Sequence, residues 1–418
     1  MPLRVIIVGA GLAGLGAAIA LNRAGHEVVV LEQSGFSNEV GAAIHVAPNA
    51  SRILRDWGCD FDALQAVRCE KMQVWDEVGS LRYTPVVTKD RQRDMGISDE
   101  WLLTHRVDLH NALRAAADQE VEGRKVNIQL SSRVASVDAE AGVVTLENGH
   151  TFKGDLVIGA DGIHSRTVKS VTGEEPRKES TGQNCFRFLI PIEKMLEDPL
   201  TAALVERMGL AGMHAFASED RRLVVYPCRE GRLLNVAGIH PSEISGSDVK
   251  DASWLSGGSL EELIEVYQDF SPELQAMCRK AEDLKLWSLA SRAPPKTFVK
   301  GKLALVGDAA HPTLPHQGQG GAQSFEDGAA LGALFTQDTT PEQVPQRLEL
   351  YNQVRYERAI TVLFMSKTHD ERRAQMLKEL REYVPNAVVP KDMFSYTWLS
   401  YPGRDAEKLL TRARTQGV

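Results

Sequence analysis

Near its start the chain reads Arg4-Val-Ile-Ile-Val-Gly9-Ala-Gly11-Leu12-Ala13-Gly14, an apolar run followed by three glycines in the spacing Gly-x-Gly-x-x-Gly. The apolar run predicts a buried parallel strand, and the glycines predict a tight turn into a helix. Gly9 permits the turn, Gly11 lacks the Cβ that would block a pyrophosphate, and Gly14 allows close packing of the helix. The helix would point unpaired N–H groups at phosphates. The pattern predicts a dinucleotide-binding βαβ unit.

A second apolar run completes this unit. Val28 to Leu31 reads as the next parallel strand and ends at Glu32. A carboxylate at this place accepts hydrogen bonds from a ribose diol and repels the 2′-phosphate of NADP. Glycine spacing alone is weak evidence for a dinucleotide site, because an ordinary strand–turn–helix uses the same residues for packing. With Glu32 included, the sequence favours FAD or NAD as the first ligand.

The bulk properties exclude several classes of protein. A chain of 418 residues exceeds one ordinary core, so two domains and a terminal extension are expected. The 48 basic and 56 acidic residues, with no basic block, argue against a nucleic-acid partner. The five cysteines contain no CxxC pair for redox or zinc chemistry. No apolar run is long enough to span a bilayer, and we expect a cytoplasmic protein.

Strand and helix patterns divide the remaining chain into blocks. Lys71 to Glu77 and Leu81 to Val87 alternate like antiparallel strands, and strand patterns return from Asn184 to Pro241, where one sheet face is expected to be exposed. Ser259 opens a predicted helix over Leu260 to Ala281. Residues 323 to about 382 are largely helical in pattern, and the stretch past Pro385 is poorly defined.

These blocks predict an α/β fold with a discontinuous, Rossmann-like FAD-binding domain, an antiparallel β-sheet substrate domain and a helical C-terminal extension. The predicted FAD-binding domain covers residues 1–70, 103–175 and 282–335. The substrate domain covers residues 71–102 and 176–281, and the C-terminal helical region covers residues 336–418.

Two further glycine motifs follow apolar strands. The first is Gly159-Ala-Asp161-Gly-Ile-His-Ser165-Arg166, and the second is Gly307-Asp308-Ala-Ala-His311-Pro312, followed by Gln317-Gly-Gln-Gly320-Gly321. With all three motifs in this order, the sequence closely resembles the single-component (group A) FAD-dependent aromatic monooxygenases. Within this family it resembles the salicylate-hydroxylase-like branch, which includes fungal secondary-metabolism hydroxylases. The resemblance runs from residue 1 to about residue 370.

The resemblance implies a set of FAD contacts. Glu32 binds the adenosine ribose, Arg106 lies on the pyrophosphate side, and Asp308 holds the ribityl chain. The remaining members are Gly9, Gly11, Leu12, Ala13, Gly14 and Asp161, the backbone of Ala42 and Ala43 beside the flavin, and Gly320 and Gly321 at a helix start facing the pyrimidine ring. A helix N-terminus there would stabilise the negative charge of reduced flavin. Asp308 could instead be a helix N-cap, and Arg106 a surface residue.

The nicotinamide cofactor is less well defined by the sequence. The family usually has a basic residue three positions after the motif serine, whereas this chain has Val168, between Arg166 and Lys169. No second Gly-x-Gly-x-x-Gly follows a strand, so NADH or NADPH is expected to dock transiently. The choice between the two stays open.

The resemblance also implies the reaction. Reduced flavin reacts with O₂ to give a C4a-hydroperoxide, which hydroxylates or epoxidises an electron-rich phenolic or indole-type substrate. The protein must exclude water and position the ring. The expected partners are therefore a small aromatic molecule, NAD(P)H and O₂. A monomer and a homodimer both remain possible.

Three residues are candidates for the substrate side. Strand alternation sends Phe186 and Phe188 to one face and Arg187 to the other, where a cation could hold a phenolate and lower its pKa. Tyr226 could donate its hydroxyl to the same oxygen, and His45 could contact substrate or relay a proton. Structural roles stay open for all three. No metal site is expected, and His311 and His316 are interpreted as supports for the loop around Pro315.

Two other enzyme classes and one non-enzymatic class are alternatives. A flavin-dependent halogenase is disfavoured because its WxWxIP signature is missing, and a flavin disulfide reductase is disfavoured because no cysteine pair is present. A flavin-fold binding or regulatory protein without turnover would keep the same scaffold. Oxygen consumption separates that protein from a monooxygenase.

Overall fold

The computed structural model describes residues 1–36, 42–175, 177–245, 257–367 and 373–416. Ala42 and Ala43, which are predicted to lie beside the flavin, are described, whereas residues 37–41 just before them are not. The fold is α/β, as predicted, and is built around two principal sheets. Among the described residues, no helix combines the length and apolarity needed to cross a membrane.

The first sheet has six strands and carries all three glycine motifs. Its strands, in spatial order, are Val299–Lys300, Leu303–Leu305, Leu156–Gly159, Arg4–Val8, Glu27–Leu31 and Asn127–Gln129. All neighbours pair in parallel except Val299–Lys300. The three motifs follow adjacent strands, and parallel strands end at the same edge of a sheet. The sheet order therefore brings the motifs together.

Helix Leu12–Arg23 packs on the central strands of this parallel sheet, and helix Thr167–Thr172 contacts Leu303–Leu305. The helices of this layer and its C-terminal continuation are Leu12–Arg23, Arg106–Asp118, Thr167–Thr172, Gly320–Leu334, Val344–Ser366 and Arg373–Arg381. The largest apolar cluster of the described residues lies between these helices and the sheet. It gives the glycine loops a rigid base.

The second sheet has seven strands. In spatial order they are Glu282–Arg292, Lys178–Pro191, Leu233–Pro241, Arg222–Cys228, Gly212–Ala217, Lys71–Asp76 and Leu81–Val87. Neighbours are antiparallel except Gly212–Ala217 with Lys71–Asp76. The helices Ile192–Leu196, Pro199–Met208, Leu260–Val266 and Pro272–Cys278 lie at one face of it.

Three expectations for this region were wrong. The predicted helix over Leu260 to Ala281 is two short helices, because Pro272 has no N–H and starts the second helix at its first turn. Strand Glu282–Arg292 pairs with Lys178–Pro191, so this sheet extends past the boundary expected at residue 282. The sheet is also not exposed on one face: Phe186 is buried in the helical cluster, and Cys185 and Tyr226 are buried on the opposite side.

Two small sheets of three strands each are also present among the described residues. Ala43–Val46, Leu102–His105 and Val67–Arg68 form one, and Val134–Asp138, Val143–Leu146 and Thr151–Lys153 form the other. Short helices cover Pro48–Asp56, Thr88–Met95, Gly307–Ala309, Pro315–Gln317 and Pro341–Gln343.

The chain past Pro385, which the sequence left poorly defined, contains two helices. These are Met393–Trp398 and Pro402–Thr415, and the second packs against Gly320–Leu334. Arg52 and Arg358 donate hydrogen bonds to backbone carbonyls at the end of the first. Their order comes from these long-range contacts rather than from a strong local pattern.

Candidate active site

The first glycine turn is held by close backbone contacts. Gly9 has φ +99°, which favours glycine, and a methyl group at Gly9 would lie 2.6 Å from the Ala160 oxygen. A methyl group at Gly14 would lie 1.9 Å from the Gly9 oxygen, whereas one at Gly11 would meet no atom within 4 Å. Gly9 and Gly14 are therefore required by packing, and Gly11 borders open space at the start of helix Leu12–Arg23.

Glu32 lies beside this turn, at the end of strand Glu27–Leu31. Its carboxylate accepts hydrogen bonds from the N–H groups of Ala10 and Ser34, both at 2.8 Å. A carboxylate offers about four acceptor positions, so Glu32 retains capacity for ribose hydroxyls. The contact with ribose stays a prediction.

The three glycine motifs come together at one place. The Gly9 turn meets the loop after Leu156–Gly159 at Ala160, as the 2.6 Å distance describes. Two other glycines locate the third motif: a methyl group at Gly307 would lie 2.6 Å from the Ala13 Cβ, and one at Gly321 would lie 3.2 Å from the Ile44 Cδ1. The start of helix Gly320–Leu334 is thus adjacent to both the first motif and strand Ala43–Val46.

Asp308 lies among cationic groups in this convergence. Burial raises the pKa of its carboxyl above the usual value, while His311, Arg292 and Arg106 act in the opposite direction. The N–H of Arg106 also donates to the Ala42 oxygen at 3.1 Å, so this arginine begins its helix beside the predicted flavin segment. Asp308 and Arg106, remote in sequence, are therefore close enough to interact electrostatically.

Arg292 was not identified from the sequence. It is 2% exposed, and its Nη2 donates to the backbone oxygens of Asp308 and Ala309 at 2.9 and 2.6 Å. Its Nε and Nη1 have no hydrogen-bond partner among the described residues, although Asp308 and Asp161 act on it electrostatically. Buried donors without acceptors are costly, so this arginine fits a site that receives an acceptor-rich molecule. The only feature of the sequence that could have indicated Arg292 is that it is a charged residue at the end of an alternating strand.

Asp161 organises its own loop. Its carboxylate accepts hydrogen bonds from the N–H groups of Arg166 and Thr167 and from the Thr167 hydroxyl, at 2.6 to 3.0 Å. These bonds hold the start of helix Thr167–Thr172. The geometry gives Asp161 a positioning role, and a direct contact with cofactor stays a prediction.

The departure at Val168 has a structural counterpart. Val168 is buried, and the flanking basic residues are already paired: Arg166 with Glu147 at 2.8 Å and Lys169 with Glu175 at 2.6 Å. The basic position expected from the family is therefore filled by an apolar core residue in this loop.

Both backbone polar groups of Ala43 are held by the seven-stranded sheet. The Ala43 N–H donates to the Asn235 Oδ1 at 3.0 Å, and the Ala43 oxygen accepts from the Tyr226 hydroxyl at 2.9 Å. Asn235 and Tyr226 are register partners on neighbouring strands. We refer to these two side chains as the Ala43 clamp. The clamp connects the predicted flavin-facing segment to the predicted substrate sheet.

The clamp changes the interpretation of Tyr226. Its single hydroxyl proton is donated to the Ala43 oxygen, and burial raises the pKa of this phenol well above its usual range. The predicted donation from Tyr226 to a substrate oxygen is therefore wrong for this geometry, although a lone pair remains to accept a bond. Asn235 was missed from the sequence because a buried asparagine in a strand carries no motif.

For the reaction that the resemblance implies, replacing Asn235 with alanine is expected to reduce the product formed per NAD(P)H oxidised by about tenfold, since the Ala43 N–H loses its acceptor, a cost of about 1–3 kcal/mol. Asn184→Ala is the matched control. Asn184 is equally buried in the same sheet but donates to Ser245 at 3.0 Å on the opposite face. Product yield, NAD(P)H oxidation and urea unfolding are measured for both variants. Equal losses of product yield in the two would contradict a specific role for the clamp.

Arg187 lies on the same sheet face as the clamp. Its guanidinium carbon is 4.6 Å from the centre of the Trp287 ring, and its Nε is buried with no hydrogen-bond partner among the described residues. It also acts electrostatically on Tyr226, and it acts on Cys185 both electrostatically and through a side-chain hydrogen bond. As alternation predicts, Phe186 and Phe188 are in the helical cluster on the other face. Arg187 is therefore a cation with an unused donor beside the Ala43 clamp.

His45 is held as one neutral tautomer. The Trp101 indole N–H donates to the His45 Nδ1 at 3.0 Å, which leaves the proton of the neutral ring on Nε2. Burial lowers the pKa of His45 to about 4. A methyl group at Gly318 would lie 1.6 Å from the His45 Nε2, so the imidazole is packed against the loop before helix Gly320–Leu334. A ring that stays neutral near pH 7 fits a structural contact better than the predicted proton relay.

A buried ionic network connects helix Gly320–Leu334 to helix Val344–Ser366. Arg355 binds Asp327 at 2.8 Å and Glu326 at 2.7 Å, and Arg358 also binds Glu326. Burial raises the pKa of the Glu326 carboxyl, but Arg358 and Arg355 outweigh it and hold the pKa below the usual value. Asp327 accepts from the Gly307 N–H at 2.8 Å and from His311 at 2.7 Å. The network thus ties the third motif to its helix.

The two loop histidines, His311 and His316, both have side-chain contacts that support their loop. Besides the His311 contact with Asp327, His316 bonds to Gln183 at 3.0 Å and accepts from Arg222. No group of three His, Cys, Asp or Glu side chains suited to a metal occurs in the part of the chain that the structure describes.

Known proteins are similar to this chain in sequence and in fold. The family described as FAD binding domain matches residues 2–366. The FAD-dependent monooxygenase cfoG of Aspergillus candidus is 35% identical over 93% of this chain and 90% of its own length. Hispidin-3-hydroxylase of Neonothopanus nambi is 35% identical over 85% of this chain and 86% of its own. A substrate complex of salicylate hydroxylase has the same fold, with a TM-score of 0.74 and 22% identity over 98% of each chain.

Proposed function

This chain belongs to the FAD binding domain family, and on that basis we propose that it is an FAD-dependent monooxygenase that uses NAD(P)H and O₂ to hydroxylate an electron-rich aromatic substrate. The six-stranded sheet would carry FAD and the seven-stranded sheet would carry the substrate. The relatives described above are named monooxygenases and hydroxylases, which gives the halogenase alternative no support.

The residues fit the cofactor. Gly11 borders open space at a helix start, and Arg292 offers two buried donors without partners among the described residues. Glu32 would hold the adenosine ribose, and Asp308 and Arg106 would hold the central part of FAD. The starts of helices Leu12–Arg23 and Gly320–Leu334 would face negatively charged groups. When bound, FAD supplies electron transfer from NAD(P)H to O₂ and oxygen transfer to the ring.

The Ala43 clamp is the observation that carries the proposal. Ala43 lies in strand Ala43–Val46, whose Ile44 is adjacent to Gly321 of the third glycine motif. Its polar groups are held by Asn235 and Tyr226, which lie on the same sheet face as Arg187. A flavin beside Ala43 and a ring beside Arg187 would therefore be neighbours. Proximity of this kind is what oxygen transfer to a bound ring requires.

We assign Arg187 to the substrate. A cation with a buried, unused donor stabilises a phenolate and lowers the pKa of the phenol, which increases the electron density of the ring. The stack on Trp287 holds the guanidinium in place. This assignment favours phenols over neutral indoles.

Replacing Arg187 with methionine is expected to leave FAD bound while raising KM for a phenolic substrate at least about tenfold, because a charge-assisted hydrogen bond of about 1.5–3 kcal/mol is lost. Arg207→Met is the matched control, since Arg207 also lies over a tryptophan, Trp75, but packs at the helical side of the sheet. Steady-state kinetics and flavin absorbance are measured on both. An unchanged KM in Arg187→Met would show that Arg187 does not bind the substrate.

The first experiment tests the class of reaction. The purified protein should be yellow, and a panel containing hispidin, salicylate and indole should include a compound that accelerates NADH or NADPH oxidation with matching oxygen consumption. Mass spectrometry of a reaction run under ¹⁸O₂ should find a product that carries one oxygen atom from O₂. Protein that binds FAD but consumes no oxygen with any panel member would favour the flavin-fold binding protein. Protein that cannot be reconstituted with FAD would overturn both.

A further inference from the structure

The helix Met393–Trp398 lies outside the residues that match the family, yet it contacts the candidate site. Asp392 caps the helix by accepting from the N–H groups of Phe394 and Ser395, both at 3.2 Å. Phe394 and Trp398 are four residues apart and so share one helix face. Trp398 is buried and Phe394 is partly buried.

These two side chains pack on Trp101. The ring centres are 5.4 Å apart for Trp101 and Trp398, 6.3 Å for Trp101 and Phe394, and 5.5 Å for Phe394 and Trp398. We call the three rings the aromatic cluster. Edge-to-face aromatic pairs contribute about 0.5–1.5 kcal/mol each beyond buried area, so the cluster restrains the Trp101 indole.

The restrained indole acts on the candidate site through His45. Its N–H bond to the His45 Nδ1 fixes the tautomer, and the His45 Nε2 packs against Gly318. His45 belongs to strand Ala43–Val46, and Gly318 precedes helix Gly320–Leu334. The imidazole therefore lies between its own strand and the loop before helix Gly320–Leu334, and both segments adjoin residues that are predicted to lie beside the flavin.

The helix is anchored to the rest of the protein at its C-terminal end. Arg52 donates to the backbone oxygens of Trp398 and Ser400 at 2.7 and 2.8 Å, and Arg358 donates to those of Tyr396 and Thr397 at 2.8 and 3.3 Å. The helix-end carbonyls are satisfied by these side chains. Arg358 also binds Glu326 of helix Gly320–Leu334, so the same ionic network holds both helices.

We propose that the helix Met393–Trp398 is a positioning element of the active site: Phe394 and Trp398 hold Trp101, whose indole N–H orients His45 and thereby sets the spacing between Ala43 and the Gly318 loop around the flavin. The C-terminal region thus has a role in catalysis that no glycine motif encodes. Its effect on turnover rests on the proposed monooxygenase function, whereas its effect on His45 does not.

The direct test uses the full-length holoprotein labelled with ¹⁵N-histidine. Long-range ¹H–¹⁵N spectra at pH 7 report the tautomer of each imidazole, and His45→Asn assigns the His45 signals. Wild type should show the Nε2–H form. Trp101→Phe, which keeps a ring but removes the indole N–H, should lose that single form. Phe394→Ala and Trp398→Leu should shift the same signals, and Leu399→Ala should not, because Leu399 is 43% exposed.

The functional arm uses the panel phenol that best accelerates NAD(P)H oxidation. Phe394→Ala and Trp101→Phe should retain FAD but lower product per NAD(P)H about tenfold, as small displacements of reacting groups do. Leu399→Ala should behave as wild type. Unaltered His45 signals in both Trp101→Phe and Phe394→Ala, with FAD bound, would overturn the proposal even if Trp398→Leu unfolds. Altered signals in the variants of a protein whose wild type shows no turnover would sustain the positioning and reject the monooxygenase function.

Discussion

Gly14→Ala is expected to weaken FAD binding severely. The new methyl group would lie 1.9 Å from the Gly9 oxygen, far inside van der Waals contact and against backbone that cannot rotate away. Gly9 has little room to move away, because it is itself packed against Ala160: a methyl group placed on Gly9 would lie 2.6 Å from the Ala160 oxygen. The turn must therefore open, and helix Leu12–Arg23 loses its alignment with the phosphates. We expect at least a hundredfold weaker FAD affinity, roughly 2.7 kcal/mol.

The control for this substitution is Gly11→Ala. A methyl group there meets no atom within 4 Å, so the apoprotein should fold and melt like wild type. Its FAD affinity should still fall, because the methyl group projects into the space proposed for the pyrophosphate. FAD titration followed by fluorescence and thermal unfolding of the apoprotein separate the two effects. Wild-type affinity in Gly14→Ala would refute the structural basis of the site.

Arg355→Met is expected to be the most destabilising change outside the glycine motifs. Arg355, Glu326 and Asp327 are fully buried, and the arginine binds both carboxylates. Removing one partner of a buried ion pair leaves uncompensated charge and costs about 3–5 kcal/mol in the free energy of unfolding. Asp327 also holds the Gly307 N–H, so the loop of the third motif should loosen and FAD should be released more readily.

A surface pair provides the comparison. Arg414 binds Asp338 at 2.8 Å, but both side chains are substantially exposed. Water and salt screen such a pair, so Arg414→Met should change the unfolding free energy by at most about 1 kcal/mol. Urea unfolding monitored by tryptophan fluorescence measures both variants. A loss in Arg355→Met no larger than that in Arg414→Met would contradict the structural importance assigned to the network.

The glycine motifs could be interpreted from the sequence because their requirements are local. A left-handed φ at Gly9 and the absence of a side chain at Gly11 concern a few consecutive residues. The convergence of the three motifs was also predictable, since each follows a parallel strand. Pro272, by contrast, is a local signal for a helix start, and the prediction of one long helix over Leu260 to Ala281 did not take it into account.

Other parts of the candidate site depend on strand register and distant contacts. Asn235 and Tyr226 reach Ala43 because Leu233–Pro241 and Arg222–Cys228 pair in one register, and a shift by one residue would turn both side chains to the other face. Periodicity placed Tyr226 on a strand but could not show which atom its proton would meet. Arg292 and Trp398 were missed for the same reason, since their partners are distant in sequence.

The sequence by itself determined the cofactor class and the parallel sheet, because phosphate-binding turns demand particular residues at fixed short spacing. Only the tertiary structure decided the roles of individual side chains around Ala43. In the folded protein the Tyr226 hydroxyl donates to the backbone oxygen of Ala43. The Trp101 indole N–H donates to the His45 Nδ1, and Trp398 of a C-terminal helix packs on that same tryptophan. Hydrogen bonds and ring contacts act over a few ångströms, and folding alone brings residues hundreds of positions apart to that distance.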